Sequence, residues 1–398
     1  MKDWGNIIYM DNHATTPLDP QVVEAMMPYL TTSFGNASST AHMLGWNAKD
    51  AVEKARGQVA DLINCSPEEL IFTSGATESD NLAIKGVAFA NKHKGNHIIT
   101  SAAEHHAVLD TCAVLENEGF KVSYLPVDKY GMVHPQQVED CITSQTILIS
   151  LIYANNEVGT INPLSEIGKI ARKYGLLFHS DAVQAVGKID SDVNQLGLDL
   201  MSLTAHKMYG PKGIGALYIR ARKPEIQLTP MIHGGGQENH IRPGTLNVPG
   251  IVGFGEACEL SKTLMVEESE RISVLRDKLH HALFNRIDHI YLNGHPVKRL
   301  TGNLNISFEF AECEALLASL DNIALSAGSA CTSGAVQASH VLLAMRLKEE
   351  LAHTAVRFGL GRFTTEVEVD QVIDAVVKEV HRLRQLSPLY EGNLSNTD

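Results

Sequence analysis

Three observations predict an α/β fold with a mainly parallel sheet. Short apolar runs alternate with amphipathic stretches through the middle of the chain. Most of those runs end directly in polar or ionisable residues. After residue 250 the rhythm changes. The runs fall at 70–74 (LIFTS), 97–100 (HIIT), 121–127 (KVSYLPV), 146–154 (TILISLIYA), 176–180 (LLFHS), 200–204 (LMSLT) and 215–219 (GALYI). Helix-like segments at 76–91, 104–118, 135–142 and 164–174 separate most of them. Strand and helix patterns in alternation imply βαβ units and a sheet covered on both faces, here of about seven strands.

The later part reads as a smaller α+β unit. A long helical stretch at about 250–287 leads to apolar runs at 303–310 and 355–361, mixed with helical patterns near 312–320, 336–345 and 366–386. The expected division is a large domain over 14–260, with 1–13 and 261–398 forming the second, smaller one. The tail at 387–398 is polar and is expected to fray.

Composition narrows the function. The 398 residues are 44% hydrophobic and 20% charged, which is globular rather than disordered. The formal charge of −13 supplies no general field for nucleic acid or anionic lipid. Cys65, Cys112, Cys141, Cys258, Cys313 and Cys331 are scattered, with no CxxC pair, so a zinc ribbon or a disulfide framework is not expected. No apolar run approaches membrane-spanning length, and the first residues lack a signal-peptide core. A soluble, cytoplasmic protein follows as the expectation.

Ligands of open α/β sheets bind beyond the carboxyl ends of the strands. Five strand ends here carry chemistry. LIFTS runs into Gly75, Ala76, Thr77 and Glu78; HIIT into Glu104, His105 and His106; TILISLIYA into Asn155, Asn156 and Glu157; LLFHS into Asp181 and then Gln184; and LMSLT into His206 and Lys207. Each has an ordinary structural reading as a helix entry, a cap or a surface lysine. The pair His105–His106 has no thiol or acid at ligand spacing, which argues against a metal. GxxxxGK[ST], GxGxxG and HExxH are absent. One ligand accounts for the set together. Pyridoxal phosphate needs an anion seat at a helix N-terminus, a lysine for its aldehyde, a carboxylate for its ring nitrogen and an imidazole beside the ring.

Eight strings carry a resemblance. DNHATTP (11–17), SGATESDN (74–81), YANNEVGT (153–160), HSDAVQAVGK (179–188), TAHKMYGPKG (204–213), GGGQENHIRPGTLN (234–247), SAGSACTSG (326–334) and RFGLGRFTTE (357–366) resemble the cysteine desulfurases of the IscS/NifS type, within the class-V aminotransferases. The resemblance spans residue 8 to about 390. It implies the aspartate-aminotransferase-like fold (pyridoxal-phosphate fold type I) and a homodimer. It also implies conversion of L-cysteine to L-alanine, with sulfur held as a persulfide for an iron–sulfur scaffold protein and other acceptors.

Residue by residue, Lys207 resembles the lysine that joins the cofactor aldehyde, Asp181 the ring-nitrogen partner and Gln184 the donor to the phenolic oxygen. His105 resembles the stacking histidine. Ala76, Thr77, Thr204 and His206 resemble the phosphate ligands, with Thr245 reaching in from the other subunit. Asn156 and Arg357 resemble the clamp on the substrate carboxylate, and Cys331 the sulfur-accepting nucleophile. The small-residue run SAGSACTSGAVQAS around Cys331 lacks the apolar neighbours that would bury a structural thiol. A transient role for Cys331 as an iron–sulfur ligand stays open, as does the device that deprotonates it.

The chain departs from the usual family pattern at several places. GAVQAS follows Cys331, Thr204 stands for a serine, His106 for a frequent lysine, and GQENHIRPGT is less basic than the usual run. Selenocysteine lysis, amino transfer, a non-catalytic sulfur carrier and a histidine metalloprotein stand as the alternatives.

Overall fold

The computed structural model describes residues 5, 7–327, 338–388 and 390. In chain order the first elements are β1 (Ile8–Tyr9), α1 (Pro20–Thr31), α2 (Met43–Ile63), β2 (Leu70–Thr73), α3 (Ala76–Asn91), β3 (His97–Ser101), α4 (His106–Asn117) and β4 (Lys121–Leu125). Next come α5 (Pro135–Cys141), β5 (Thr146–Ser150), α6 (Leu164–Tyr174), β6 (Leu177–Asp181), α7 (Val193–Leu196), β7 (Leu200–Thr204) and β8 (Gly215–Ile219). The remainder is α8 (Val248–Arg286), β9 (Ile290–Asn293), β10 (Asn303–Phe308), α9 (Cys313–Ser319), β11 (Ile323–Ala324), β12 (Ser326–Ala327), α10 (His340–Ala344), α11 (Glu349–Ala352), β13 (Ala355–Gly359) and α12 (Glu366–Leu386).

Seven strands form one sheet in the order β2-β8-β7-β6-β5-β3-β4. Its inner pairs β7-β6, β6-β5 and β5-β3, and the edge pair β3-β4, are parallel. Only β8 runs antiparallel to its neighbours β2 and β7. β3, β5, β6 and β7 are buried at every residue, as strands covered on both faces must be. One face packs against α3 and α4 through Ile84, Val87, Val108 and Leu115. The other meets α2, α6 and the first half of α8 through Val52, Val59, Ile167 and Phe254. A second, four-stranded sheet has the order β12-β13-β10-β9 and is antiparallel.

The 39-residue α8 runs from one core into the other. Ile251, Phe254, Ala257 and Cys258 pack with the large sheet, whereas Ile272, Leu275, Leu279 and Leu283 pack with β10, β13 and α12. At 1.5 Å per residue it spans roughly 58 Å. Residues at the chain start also divide: Ile8 and Met10 join the second core, and Val22 joins the first. Segment 11–16 thus crosses between the two cores, next to the ends of β6 and β7.

Candidate active site

The carboxyl ends of β2, β3, β5, β6 and β7 open onto one cavity of about 520 Å³. Ala76, Thr77, His105, Asn156, Asp181, Gln184, Thr204, His206, Lys207 and Arg357 all line it, so ten of the twelve residues singled out from sequence come together. Thr245 does not line it and lies exposed in the segment before α8. Cys331 lies outside the described residues.

The anion seat is built from backbone. Gly75 takes φ 157° and ψ 180°, a region effectively closed to residues with a Cβ, and α3 starts at the next residue. No side chain caps α3, so the orphan N–H groups of its first turn and its dipole face the cavity. A Cβ on Gly215 would lie 2.8 Å from Gly75 Cα, so a second glycine admits this close turn. Glu78 would oppose an anion there, but Arg242 Nε donates to it at 2.8 Å and Ser74 N at 2.7 Å. Burial works against the carboxylate, yet these donors win and hold Glu78 below its ordinary range.

Lys207 ends a single 3₁₀ turn after β7. Its Nζ donates to the carbonyl oxygens of His13 and Ala14, each at 2.6 Å. Asp181 is the last residue of β6, is buried and accepts from Val183 N at 3.0 Å. Burial raises its carboxyl, and nearby His105 and Lys207 pull it back only in part. Gln184 Nε2 donates to His13 O at 2.9 Å, and its Oε1 faces His13 Nδ1 at 3.1 Å. Thr204 Oγ1 donates to Ile214 O at 3.2 Å, leaving its lone pairs for another donor. His206 Nδ1 lies 3.2 Å from Thr15 Oγ1, and burial together with Lys207, Lys212 and Lys188 pushes this ring down to about 4.

His105 caps α4, its Nδ1 accepting from Ala107 N at 3.1 Å. In the neutral ring the proton therefore sits on Nε2. Arg357 lies within β13, 2% exposed. Its Nη2 donates to Asp11 Oδ1 at 2.9 Å and to Ser326 Oγ at 2.7 Å, and its Nη1 to Asn156 O at 2.9 Å.

Sequence reasoning passed over Asp11, His13, Ser74, Lys188 and Ser326. All five stand inside the strings quoted above, so the signal was position within a motif rather than any property of the residue. Among the described residues no cluster of three or more His, Cys, Asp or Glu side chains could hold a metal.

Residues 8–372 match the model of the class-V aminotransferases. The cysteine desulfurase IscS of Anaeromyxobacter sp. strain Fw109-5 is 52% identical over 384 residues, which cover 96% of this chain and 95% of that protein. The IscS of Rickettsia felis is 51% identical and is covered to 93%. The chain belongs to the class-V aminotransferase family.

Within it, the chain stands with the IscS cysteine desulfurases. A solved NifS-like protein superposes with a TM-score of 0.88 at 38% identity, covering 94% of this chain and all of that one. A structure described as SspA in complex with cysteine superposes with a TM-score of 0.80 at 39% identity, over 90% and 99% of the two chains. The fold is therefore that of the aspartate-aminotransferase-like pyridoxal-phosphate enzymes, as the alternation of strands and helices and the quoted motifs predict.

Class-V aminotransferases and IscS enzymes use pyridoxal phosphate, and the residues present fit it. The uncapped turn of α3 suits the phosphate. Asp181 is a buried carboxylate that burial drives toward protonation, and a cationic ring N–H would hold it ionised. His13 Nε2 and Arg357 Nε are buried polar atoms with no partner among the described residues, so the cavity still has an acceptor and a donor to satisfy.

Proposed function

We propose that this chain takes sulfur from L-cysteine and carries it as a persulfide on Cys331, releasing L-alanine. The observation that supports this most is the convergence of Lys207, Asp181, Gln184, His105 and Arg357 on one cavity, in a chain half identical to cysteine desulfurases. Pyridoxal phosphate, when bound, supplies an aldehyde for amines and a ring that withdraws electrons from the substrate.

The chain's own residues do the rest. The first turn of α3, with Thr204 and His206, holds the phosphate, and Thr245 of a second subunit completes that cradle in a homodimer. Asp181 keeps the ring nitrogen protonated. The second N–H of Gln184, not engaged by His13, is the donor toward the phenolic oxygen. His105, with Nδ1 tied to Ala107 N, presents Nε2–H to the site. Arg357 and the Asn156 side chain grip the substrate carboxylate, a planar anion matched to a guanidinium. Lys207 Nζ takes the Cα proton of the substrate and returns a proton to it.

The sulfur step balances without an outside oxidant. The Cys331 thiolate attacks the substrate sulfur, a sulfur–sulfur bond forms and the carbon–sulfur bond breaks. Its electron pair stays on the substrate Cβ, which takes a proton; one thiol and one cysteine become one persulfide and one alanine. The sulfur then passes to an iron–sulfur scaffold protein or another thiol acceptor, in the cytoplasm. In this reading residues 14–260 form the cofactor-binding unit, and 1–13 with 261–398 the unit that brings Arg357 and Cys331.

The test is to incubate the purified protein with excess L-cysteine, without reductant, and to weigh the peptide bearing Cys331. A gain of one sulfur atom, with alanine in solution, is expected. Alanine and sulfide without the mass gain would remove Cys331 from its role. Neither product, from protein carrying its cofactor, would point to a different substrate.

A further inference from the structure

Glu157 is a buried acid that the chemistry above does not use. It follows Asn156 in the turn after β5, and that turn is held from two directions. Asn155 Oδ1 accepts from Glu157 N at 2.9 Å and from Val158 N at 3.0 Å, while Asn155 Nδ2 donates to Ala103 O, beyond β3, at 2.9 Å. From the four-stranded sheet, the side-chain amides of Asn303 and Asn305 on β10 donate to Glu157 O at 3.1 and 3.2 Å. Both asparagines are buried, so these bonds form where water does not compete for them.

The Glu157 side chain reaches a third segment. Its Oε2 accepts from Ser339 Oγ at 2.5 Å. Ser339 is the N-cap of α10, where its Oγ also accepts from Leu342 N at 3.2 Å. The next residue, His340, has Nε2 2.8 Å from Glu104 O, again beyond β3. Ser339 closes the small-residue run that contains Cys331, and Ser326 opens it. Ser326 stands opposite Arg357 in the β12-β13 pair; its Oγ accepts from Arg357 Nη2 at 2.7 Å and donates to Asp11 Oδ1 at 2.8 Å. Arg357 in turn donates to Asn156 O. Both ends of 326–339 are therefore tied to the pair Asn156–Glu157, one through Arg357 and the other through the Glu157 carboxyl.

Cys331 itself lies outside the described residues, but chain length bounds its reach. It stands five positions after Ser326, and a chain spans at most about 3.6 Å per residue, so its Cα stays within roughly 18 Å of that anchor. We propose that Glu157 is a positioning residue for the sulfur step, which by holding Ser339 sets the thiol-bearing run in register with the Asn156–Arg357 pair that grips the substrate carboxylate. The proposal rests on the reading of Cys331 as the sulfur acceptor and of L-cysteine as the substrate. Reacting atoms must approach to about 3–3.5 Å, and a misplacement of about 1 Å can cost about a hundredfold in rate. Burial raises the Glu157 carboxyl to about 7, against the pull of Ser339, Arg357 and His105. A carboxyl oxygen accepts from a hydroxyl with or without its proton, so the hydrogen bond rather than a fixed charge is the feature to test.

The test compares Glu157→Ala, which removes the acceptor, with Glu157→Gln, which keeps an accepting oxygen, in cofactor-loaded protein. Two rates are read. The first is persulfide formation on Cys331 in a single turnover with L-cysteine, from the mass of the quenched peptide. The second is exchange of the Cα proton of L-alanine for deuterium, followed by NMR, which calls on Lys207 and the carboxylate clamp but on no thiol. E157A is expected to slow the first about tenfold or more and to leave the second within about twofold, whereas E157Q stays near wild type in both. S339A is expected to reproduce E157A, and the double variant to be little worse than either, because the two residues share one hydrogen bond.

Equal loss of both rates in E157A would show that Glu157 supports the clamp or the fold as a whole, and overturns the proposal. E157Q as slow as E157A, with alanine exchange intact, would assign the effect to charge and overturn the hydrogen-bond mechanism. Should E157A fail to hold its cofactor, S339A tests the same bond from its other side. Failure of the underlying reading looks different. Wild-type protein that exchanges alanine but gains no sulfur on Cys331 removes that reading and the proposal with it; wild-type protein that gains the sulfur no faster than E157A and S339A removes the proposal alone.

Discussion

The two sides of the cavity are built in different ways. On the side of the seven-stranded sheet, each polar group follows its own strand by a few residues: Ala76 and Thr77 after β2, His105 after β3, Gln184 after β6, and His206 and Lys207 after β7. The strand fixes the direction and a short turn fixes the side chain. On the side of the four-stranded sheet, Arg357 sits inside β13, and its aim is set by groups far away in sequence. These are Asp11 beside β1, Ser326 on β12 and the Asn156 carbonyl after β5. The first side is local and rigid by construction. The second is a tertiary assembly, in which a guanidinium is oriented by three partners from three segments. Damage should therefore spread differently: changes on the first side remove chemistry, whereas changes on the second should mainly loosen substrate binding.

The largest expected effect breaks the first side outright. Lys207→Ala removes the lysine that directly follows β7 and lines the cavity, and alanine formation from L-cysteine is expected to fall about 10³-fold or more, with the protein still folded by circular dichroism. A variant that keeps a tenth of the activity would mean that another amine does the work. The second side predicts a split in kinetic constants instead. Asp11→Asn keeps the shape and removes the charge that holds Arg357 Nη2, and Ser326 remains to hold it. KM for cysteine is expected to rise about tenfold with kcat changed less than threefold, the pattern of an interaction that binds substrate and transition state alike. An equal fall in kcat would show that Arg357 is tuned to the transition state, and the contrast between the two sides would disappear.

That contrast also governs what could be read from sequence. Helices at 76–91, 164–174 and 366–386 are observed with those bounds, and the seven predicted strands of the large sheet are all present, with ends shifted by a residue or a few. LLFHS is shifted by one residue to include Asp181, and TILISLIYA ends as a regular strand at Ser150, although Leu151 N and Tyr153 N still donate to the His179 and Asp181 carbonyls of β6. Apolar periodicity decides such elements, and their polar ends come with them. Helices α1 and α2 lie outside the apolar runs and helical patterns read from the sequence. α2 is rich in Ala and Gly, and Ala48, Ala51, Ala55 and Ala60 share its buried face with Val52, Val59 and Ile63, so small residues dilute its hydrophobic contrast. Asp11, His13 and Lys188 were unreadable for another reason. An aspartate, a histidine and a lysine are ordinarily solvated, and only the fold shows that Asp11 meets a guanidinium 346 positions away.

The smallest expected effect concerns Glu104, a second buried acid beyond a strand end, close enough to Asp181 to feel its charge. It is fully buried, and Oε1 accepts from Ser101 Oγ at 2.6 Å and from Ile152 N at 3.0 Å. Oε2 has no partner among the described residues. Burial dominates over those two donors and, with Asp181 close by, raises the Glu104 carboxyl to about 8. At pH 7 it is therefore a neutral acid, and Glu104→Gln, which keeps the accepting oxygen, should leave alanine formation within about twofold of wild type.

Stability carries the signal instead. Below the unfolded value of about 4.3 both states hold the proton. Between there and pH 8 the folded protein keeps a proton that the unfolded chain has lost, so the wild type loses stability as pH rises. The variant has no such group. Its melting temperature relative to wild type should climb steadily from pH 5 to pH 8 and then level off. A difference independent of pH would mean that Glu104 is ionised in the folded state, and that a cation reaches Oε2, as one is expected to reach Asp181.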